Sequence, residues 1–483
     1  MHKKSLLWPL VFVLIFFSVA LFRHNHSLFN TFDTGLYLQL AVNYIINGSL
    51  ASSVTGANNF LSIHFQPSFL LISPLLAIFP NPIMSAFIAI GSILIGVMIF
   101  HREQKTSNTW LAVITCIFVL HPSISGRIWY NFAPDIMAIP ALIWLAFRLD
   151  NREPKPWIIW VLVLAWSGGC KEILWVVGAW VCLIRAWYVR EERYMQLLLS
   201  VAQIAIFCFL YFFWMPGHSN GVNYFYQSFY FPNGFENYLD AFFILLSNLF
   251  SLRSIKTISL LIFATGFIPF IKFRISSLGA IPGMAVILLS HSGQIHHIGN
   301  HYLIPVLPFL LVAGIHNADL ATKFFARVRP TKWWLIIPAM LLTIFYNGIV
   351  DSLALGIMNS RTVHFREDAR HFAQNYVSVD YPLLIDGGLQ PHIPEVQTSI
   401  VLLNFTGNPH FLTAEEMNES FYVLTSTRLK NIENCSEVKI GSNLDVNLKY
   451  FQKLCLRVKS DAKELVHYDE SGITGYFVQK RRL

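Results

Sequence analysis

About eleven apolar runs near membrane-spanning length lie between Leu6 and Val350, and no other feature limits the fold so tightly. In lipid each backbone amide must be satisfied within its own segment, so such runs become helices. The runs are Leu6 to Phe22, Ile83 to Phe100, Trp110 to His121, Ile136 to Phe147, Trp157 to Gly169, Ile173 to Ile184, Leu197 to Trp214, Ile258 to Ile271, Leu278 to Ser290, Tyr302 to Ile315 and Trp333 to Val350. With 54% hydrophobic and 13% charged residues in 483, the chain is too apolar to stay soluble. An all-α polytopic membrane protein is expected. The net charge of +8 reads as loop Lys and Arg facing a cytoplasm, and no basic face interleaved with aromatics points to nucleic acid.

Basic residues set the orientation. Lys3-Lys4, Arg102 and Lys105, Arg148 to Lys155, Arg185 to Arg193, Lys272 and Arg274, and Lys323 to Lys332 alternate with basic-poor loops, which puts these clusters and the N-terminus in the cytoplasm. Ser18-Val19-Ala20 is similar to a signal-peptide cleavage site, and cleaved or retained, the first run leaves the following loop outside. Two stretches test the parity. Pro67 to Phe79, interrupted by Pro74, is read as an interfacial helix on the outer surface. Trp157 to Val189 is read as a tight hairpin turning near Lys171-Glu172, because a single span would bury that ion pair at about 2.5–3.5 kcal/mol per charge.

Residues 1–350 thus form a transmembrane domain with outward-facing loops, and residues 351–483, where hydropathy falls, a small soluble α/β domain outside the membrane. Its expected elements are helices at Arg366 to Tyr376 and Leu444 to Leu456, with strands at Pro382 to Asp386, Phe421 to Thr425 and Thr474 to Gln479. Cys116, Cys170, Cys182 and Cys208 fall in or beside apolar runs and act as small hydrophobes, whereas Cys435 and Cys455 sit in this polar region, where a disulfide is chemically allowed.

The loops expected to face out carry Asp33, His64, Arg127, Asp135, Lys171, Glu172, His291, His296, His297 and His301, while the centres of the spans carry no Asp, Glu, Lys or Arg. Ion-coupled transport usually needs ionisable groups near the midplane. Chemistry at one membrane face does not. Asp33 has two readings, an N-cap for a helix from Thr34 to Ile46 or a general base for a hydroxyl. His64 is an interfacial aromatic or a site residue, and Asp135 a helix-start acid or a second site carboxylate. Lys171-Glu172 is either a structural ion pair or a charged turn that holds a phosphate. The histidines from His291 to His301 match no strong zinc spacing.

Phe32-Asp33-Thr34-Gly35, His64-Phe65-Gln66-Pro67, Phe132-Ala133-Pro134-Asp135, Lys171-Glu172 and His301-Tyr302-Leu303-Ile304-Pro305 come in the order found in a domain-of-unknown-function family of prokaryotic polytopic membrane proteins, which the chain resembles over roughly residues 5 to 420. That family in turn resembles the C-type glycosyltransferases, including the mannosyl- and aminoarabinosyl-transferase group. The resemblance implies Asp33 as catalytic base with Asp135, and His64, Lys171, Glu172, His301 and Tyr302 as substrate-binding residues. Ala133 stands where the family usually has His, and Asp135 where Glu is common. No cofactor is specified, and with no second carboxylate beside Asp33 a divalent metal is left open.

The expected function is transfer of a sugar from a polyprenyl-phosphate donor to a hydroxyl of a glycan, lipid or protein acceptor at the outer face of the cell membrane. A lipid or polymer transporter, or a non-catalytic scaffold for envelope assembly, is the competing reading.

Overall fold

The computed structural model of the protein describes residues 3–25, 31–52, 59–103, 108–129, 132–218, 227–231, 234, 237–325, 332–346 and 349. Beyond these it describes 365–378, 381, 383–385, 399–401, 420–426, 456–458, 460–468 and 473–479. The first ten helices are α1 Lys3–Asn25, α2 Leu36–Asn47, α3 Phe69–Ile78, α4 Pro82–Glu103, α5 Asn108–Leu120, α6 Pro122–Trp129, α7 Ile139–Asp150, α8 Trp157–Cys170, α9 Ile173–Tyr188 and α10 Arg193–Phe209. The chain divides into two compact units. One comprises Met1–Ala20, Leu61–Ile72 and Ser85–Asp351, the other Leu21–Phe60, Ser73–Met84 and Ser352–Leu483.

By length and composition three described helices can cross a membrane, Leu6–His24, Pro82–Glu103 and Arg190–His218, or five if each of two bent pairs is one span. That compares with the expected eleven. The other apolar helices have 10–17 residues. α3, with 10 residues, rises about 15 Å, half of a hydrocarbon core of about 30 Å, which suits an interfacial position.

The expected span Trp110 to His121 is the first arm of a bent pair. α5 stops before Pro122, which has no N–H to continue the ladder, and α6 leaves at 58°. The expected span Ile258 to Ile271 is preceded by a helix not expected from the sequence, Tyr238–Leu249, bent 44° against Leu252–Ala264.

α8 and α9 form the expected hairpin. Glu192, just beyond α9, accepts from the Lys155 backbone N–H at 2.6 Å, and Arg185 donates to the Glu153 carbonyl at 2.9 Å, so the start of α8 and the end of α9 meet. The turn at Lys171-Glu172 is therefore at the opposite end. α7 and the helix Leu307–His316 run the same way. His316 lies 3.6 Å from Asp150 at their C-terminal ends, and His301 lies 3.9 Å from Asp135 just before their N-terminal ends. One end of this bundle thus gathers the basic residues 148–155 and 185–193, and the other Asp135, Lys171, Glu172 and His301.

In the second unit a five-stranded sheet has order β2-β1-β3-β5-β4, with β1 Leu383–Ile385, β2 Ser399–Val401, β3 Phe421–Ser426, β4 Ala462–Tyr468 and β5 Ile473–Val478. β1 pairs parallel with β2 and β3, and β5 antiparallel with β3 and β4. Helix Phe365–Tyr376 lays Ala369, Phe372 and Ala373 on Leu383 and Tyr422. Phe372 comes so close that a Cβ on Gly475 would lie 2.1 Å from its ring, and glycine there lets helix and sheet pack. The sequence located the helix, β1, β3 and β5. β2 and β4 were not expected, and the helix expected at Leu444 to Leu456 and the pair Cys435 and Cys455 lie largely or wholly outside the described residues.

Candidate functional site

Four chain segments of the first unit build one site. The segment before α3 is tied to the end of α8 by the Ser68 N–H, which donates to the Gly169 carbonyl at 2.9 Å. A Cβ on Gly169 would lie 2.6 Å from Ser68 Oγ, so a larger residue there would force the Ser68 hydroxyl aside. It brings His64 Nδ1 to 3.4 Å from Glu172 Oε1. Trp166 of α8 donates to the Met137 carbonyl at 2.8 Å and so fixes the turn Pro134–Ala138 that holds Asp135. α6 is sewn to the fourth segment by Ser123, which donates to the Ile298 carbonyl at 2.5 Å, and by Arg127, which donates to the Gly299 carbonyl at 3.0 Å. His301 and Tyr302 follow directly, their rings 4.3 Å apart.

At the centre Lys171 Nζ is 3.5 Å from Asp135 Oδ2 and 5.1 Å from the centre of the Tyr302 ring. Asp135, Lys171, Glu172 and Arg127 are all at least nine-tenths buried. Isolated buried charges cost several kcal/mol each, so two acids and two cations are stable here only as a set. Burial pushes the Asp135 carboxyl above its ordinary value, against the pull of Lys171 and Arg127. For Glu172 burial acts in the same direction, but the His64 contact and Lys171 outweigh it and hold the carboxyl below its ordinary value. His301 is held well below the usual imidazole range by burial and by Lys171 and Arg127, so it is neutral at pH 7.

These groups form the polar end of a cavity of about 230 Å³, lined there by Asp135, Lys171, Glu172, His301 and Tyr302. Its other walls are apolar or aromatic, with Ile173, Phe207, Phe212, Val286 and Pro305, and with Tyr211 and Tyr230 among them. Tyr211 and Phe212 lie in a π-helical stretch, Leu210–Trp214, that extends α10. Such wide turns are rare and often occur at functional sites. The arrangement can hold a small polar group between cation and carboxylates, and an apolar chain along the aromatic wall.

Six of the seven site residues expected from the sequence, His64, Asp135, Lys171, Glu172, His301 and Tyr302, come together in this unit. Asp33 belongs to the second unit. It lies in a π-helical turn, Thr31–Gly35, that leads into α2, so the winding starts two residues before it. The expected capping position ahead of Thr34 is corrected accordingly. Arg127 was expected on the same outward face but not as a site residue, and Tyr211 and Tyr230 were not expected. The one signal in the sequence was Arg127 as a lone charge in a loop expected to face out.

His296 serves the fold, held between Thr257 Oγ1 at 3.0 Å and the Ser290 carbonyl at 2.9 Å. The His297 ring packs 5.3 Å from that of Tyr346. Among the described residues no three His, Cys, Asp or Glu gather as a metal site.

No curated protein matches the sequence. Among solved structures, ArnT from Cupriavidus metallidurans bound to undecaprenyl phosphate is similar with a TM-score of 0.56 at 10% identity, covering 99% of this chain and 98% of that one. ArnT from the same organism in the apo state gives 0.46 at 13% identity, covering 96% and 97%. At these identities the likeness to the lipid-bound ArnT is one of fold. The family described as predicted membrane protein (DUF2079) matches residues 23–377, and the chain belongs to that family.

Proposed function

We propose that the protein is an inverting membrane glycosyltransferase that moves a sugar from a polyprenyl-phosphate donor to an acceptor hydroxyl. The observation that carries this reading is the cavity itself. A buried cation and two carboxylates close one end, and an aromatic wall suited to an isoprenoid chain forms the rest. The fold it shares with ArnT, whose structure holds undecaprenyl phosphate, supports the same reading.

In this mechanism the acceptor oxygen attacks the anomeric carbon while Asp33 takes its proton. The bond from that carbon to the phosphate oxygen breaks, and the phosphate leaves on its lipid. Lys171, with His64 or His301, stabilises the charge that builds on the leaving phosphate, and Asp135 positions Lys171. The site faces the outside of the cell membrane, opposite the basic ends of the helices, with the N-terminus in the cytoplasm and residues 351–483 outside.

Purified protein in lipid nanodiscs, given labelled polyprenyl-phosphate sugars and a hydroxyl acceptor, should release polyprenyl phosphate and form a glycosylated product. Binding or movement of the lipid across a vesicle with no transfer from any donor would favour the transport reading instead.

A further inference from the structure

Glu172 is only 4% exposed, yet it lines the cavity. His64 engages its Oε1, whereas Oε2, with no surface open to solvent, accepts no hydrogen bond among the described residues. A buried carboxylate oxygen without a donor carries a desolvation cost that a ligand hydroxyl would recover. The His64 contact holds Oε1, so Oε2 is the oxygen left for a ligand hydroxyl, which reaches it by a small shift of the carboxylate toward the cavity that Glu172 lines. The Tyr302 ring, 5.1 Å from Lys171 Nζ, lines the same cavity.

Charge and size narrow the ligand. The donor's phosphate already adds a negative charge to two carboxylates that have Lys171 and Arg127 as their permanent cations, so an acidic sugar would add a further unbalanced charge. The cavity of about 230 Å³ is smaller than the roughly 300–1,000 Å³ of sites for larger ligands, so beside the phosphate it has room for a single ring and not for a larger glycan.

We propose that Glu172 selects the donor sugar, its Oε2 accepting a hydrogen bond from a hydroxyl of a single neutral ring, so that acidic sugars are rejected. This rests on the transferase reading above.

The test is equilibrium binding to the full chain in nanodiscs. The probes are bare polyprenyl phosphate, the same lipid carrying glucose, mannose or galactose, their monodeoxy forms, and glucuronate. For the wild type, at least one neutral sugar lipid should bind about tenfold or more tighter than the bare lipid and the glucuronate lipid, and one monodeoxy form should lose about tenfold. In Glu172→Ala the preference for sugar over bare lipid should fall to within about twofold. A preference that survives in the variant overturns the proposal. So does a wild type that binds every deoxy form, or glucuronate, as tightly as the parent sugar, an arm that does not depend on the variant folding. If the wild type binds the bare lipid without any sugar preference, the selection by Glu172 alone falls; if it binds none of the lipids, the transferase reading falls with it.

Discussion

Gly169 is the smallest residue on which the site depends, because Ser68 Oγ occupies the place of its missing Cβ. Gly169→Ala should cost about 1–3 kcal/mol by overpacking and loosen the segment that carries His64. Ser68→Ala in the same chain should restore most of that loss, and strictly additive effects on thermal unfolding would show that the two do not touch. His301 makes a pH prediction. An exposed histidine titrates near 6.5 and the folded one well below, so the unfolded chain binds more protons in between and stability falls as pH drops below about 6.5. The melting temperature of the wild type should therefore fall more steeply from pH 7 to 5 than that of His301→Gln, and equal slopes would contradict a buried neutral imidazole. Lys171-Glu172 was legible in the sequence because a charge pair between two apolar arms has no cheap place except a turn. Arg127 was not, since its role comes from a helix break at Pro122 that folds α6 toward the loop at Gly299.

At the scale of elements, Glu192 closes the α8–α9 hairpin by accepting from Arg185 at 2.6 Å and from the Lys155 backbone. Arg185 is fully buried, so Glu192→Ala strands a charge and should destabilise the protein by about 3–5 kcal/mol in a denaturant titration in detergent. A change below about 1 kcal/mol would mean that the arms hold without it. The hairpin could be read from the sequence because both alternatives had electrostatic consequences. Helix bends could not be read the same way: hydropathy sums α5 and α6 into a similar signal whether straight or turned by 58°. β4 escaped because it is an edge strand whose Lys463 and Glu464 interrupt the alternation, as charges on sheet edges commonly do.

For the whole molecule, the opposed ends of the helices carry the topology. In a chain freed of its own cysteines, His297→Cys should react with a membrane-impermeant maleimide from outside intact cells, and Arg190→Cys only after lysis; the reverse pattern would invert the assignment. The central claim is that Asp33 is the base of a sugar transfer. It is tested most directly by comparing wild type and Asp33→Asn in nanodiscs with a labelled polyprenyl-phosphate sugar and a hydroxyl acceptor. The account predicts transfer by the wild type, and in the variant a rate lower by about 10²–10⁴-fold with donor binding retained. Transfer by Asp33→Asn at the wild-type rate would contradict it.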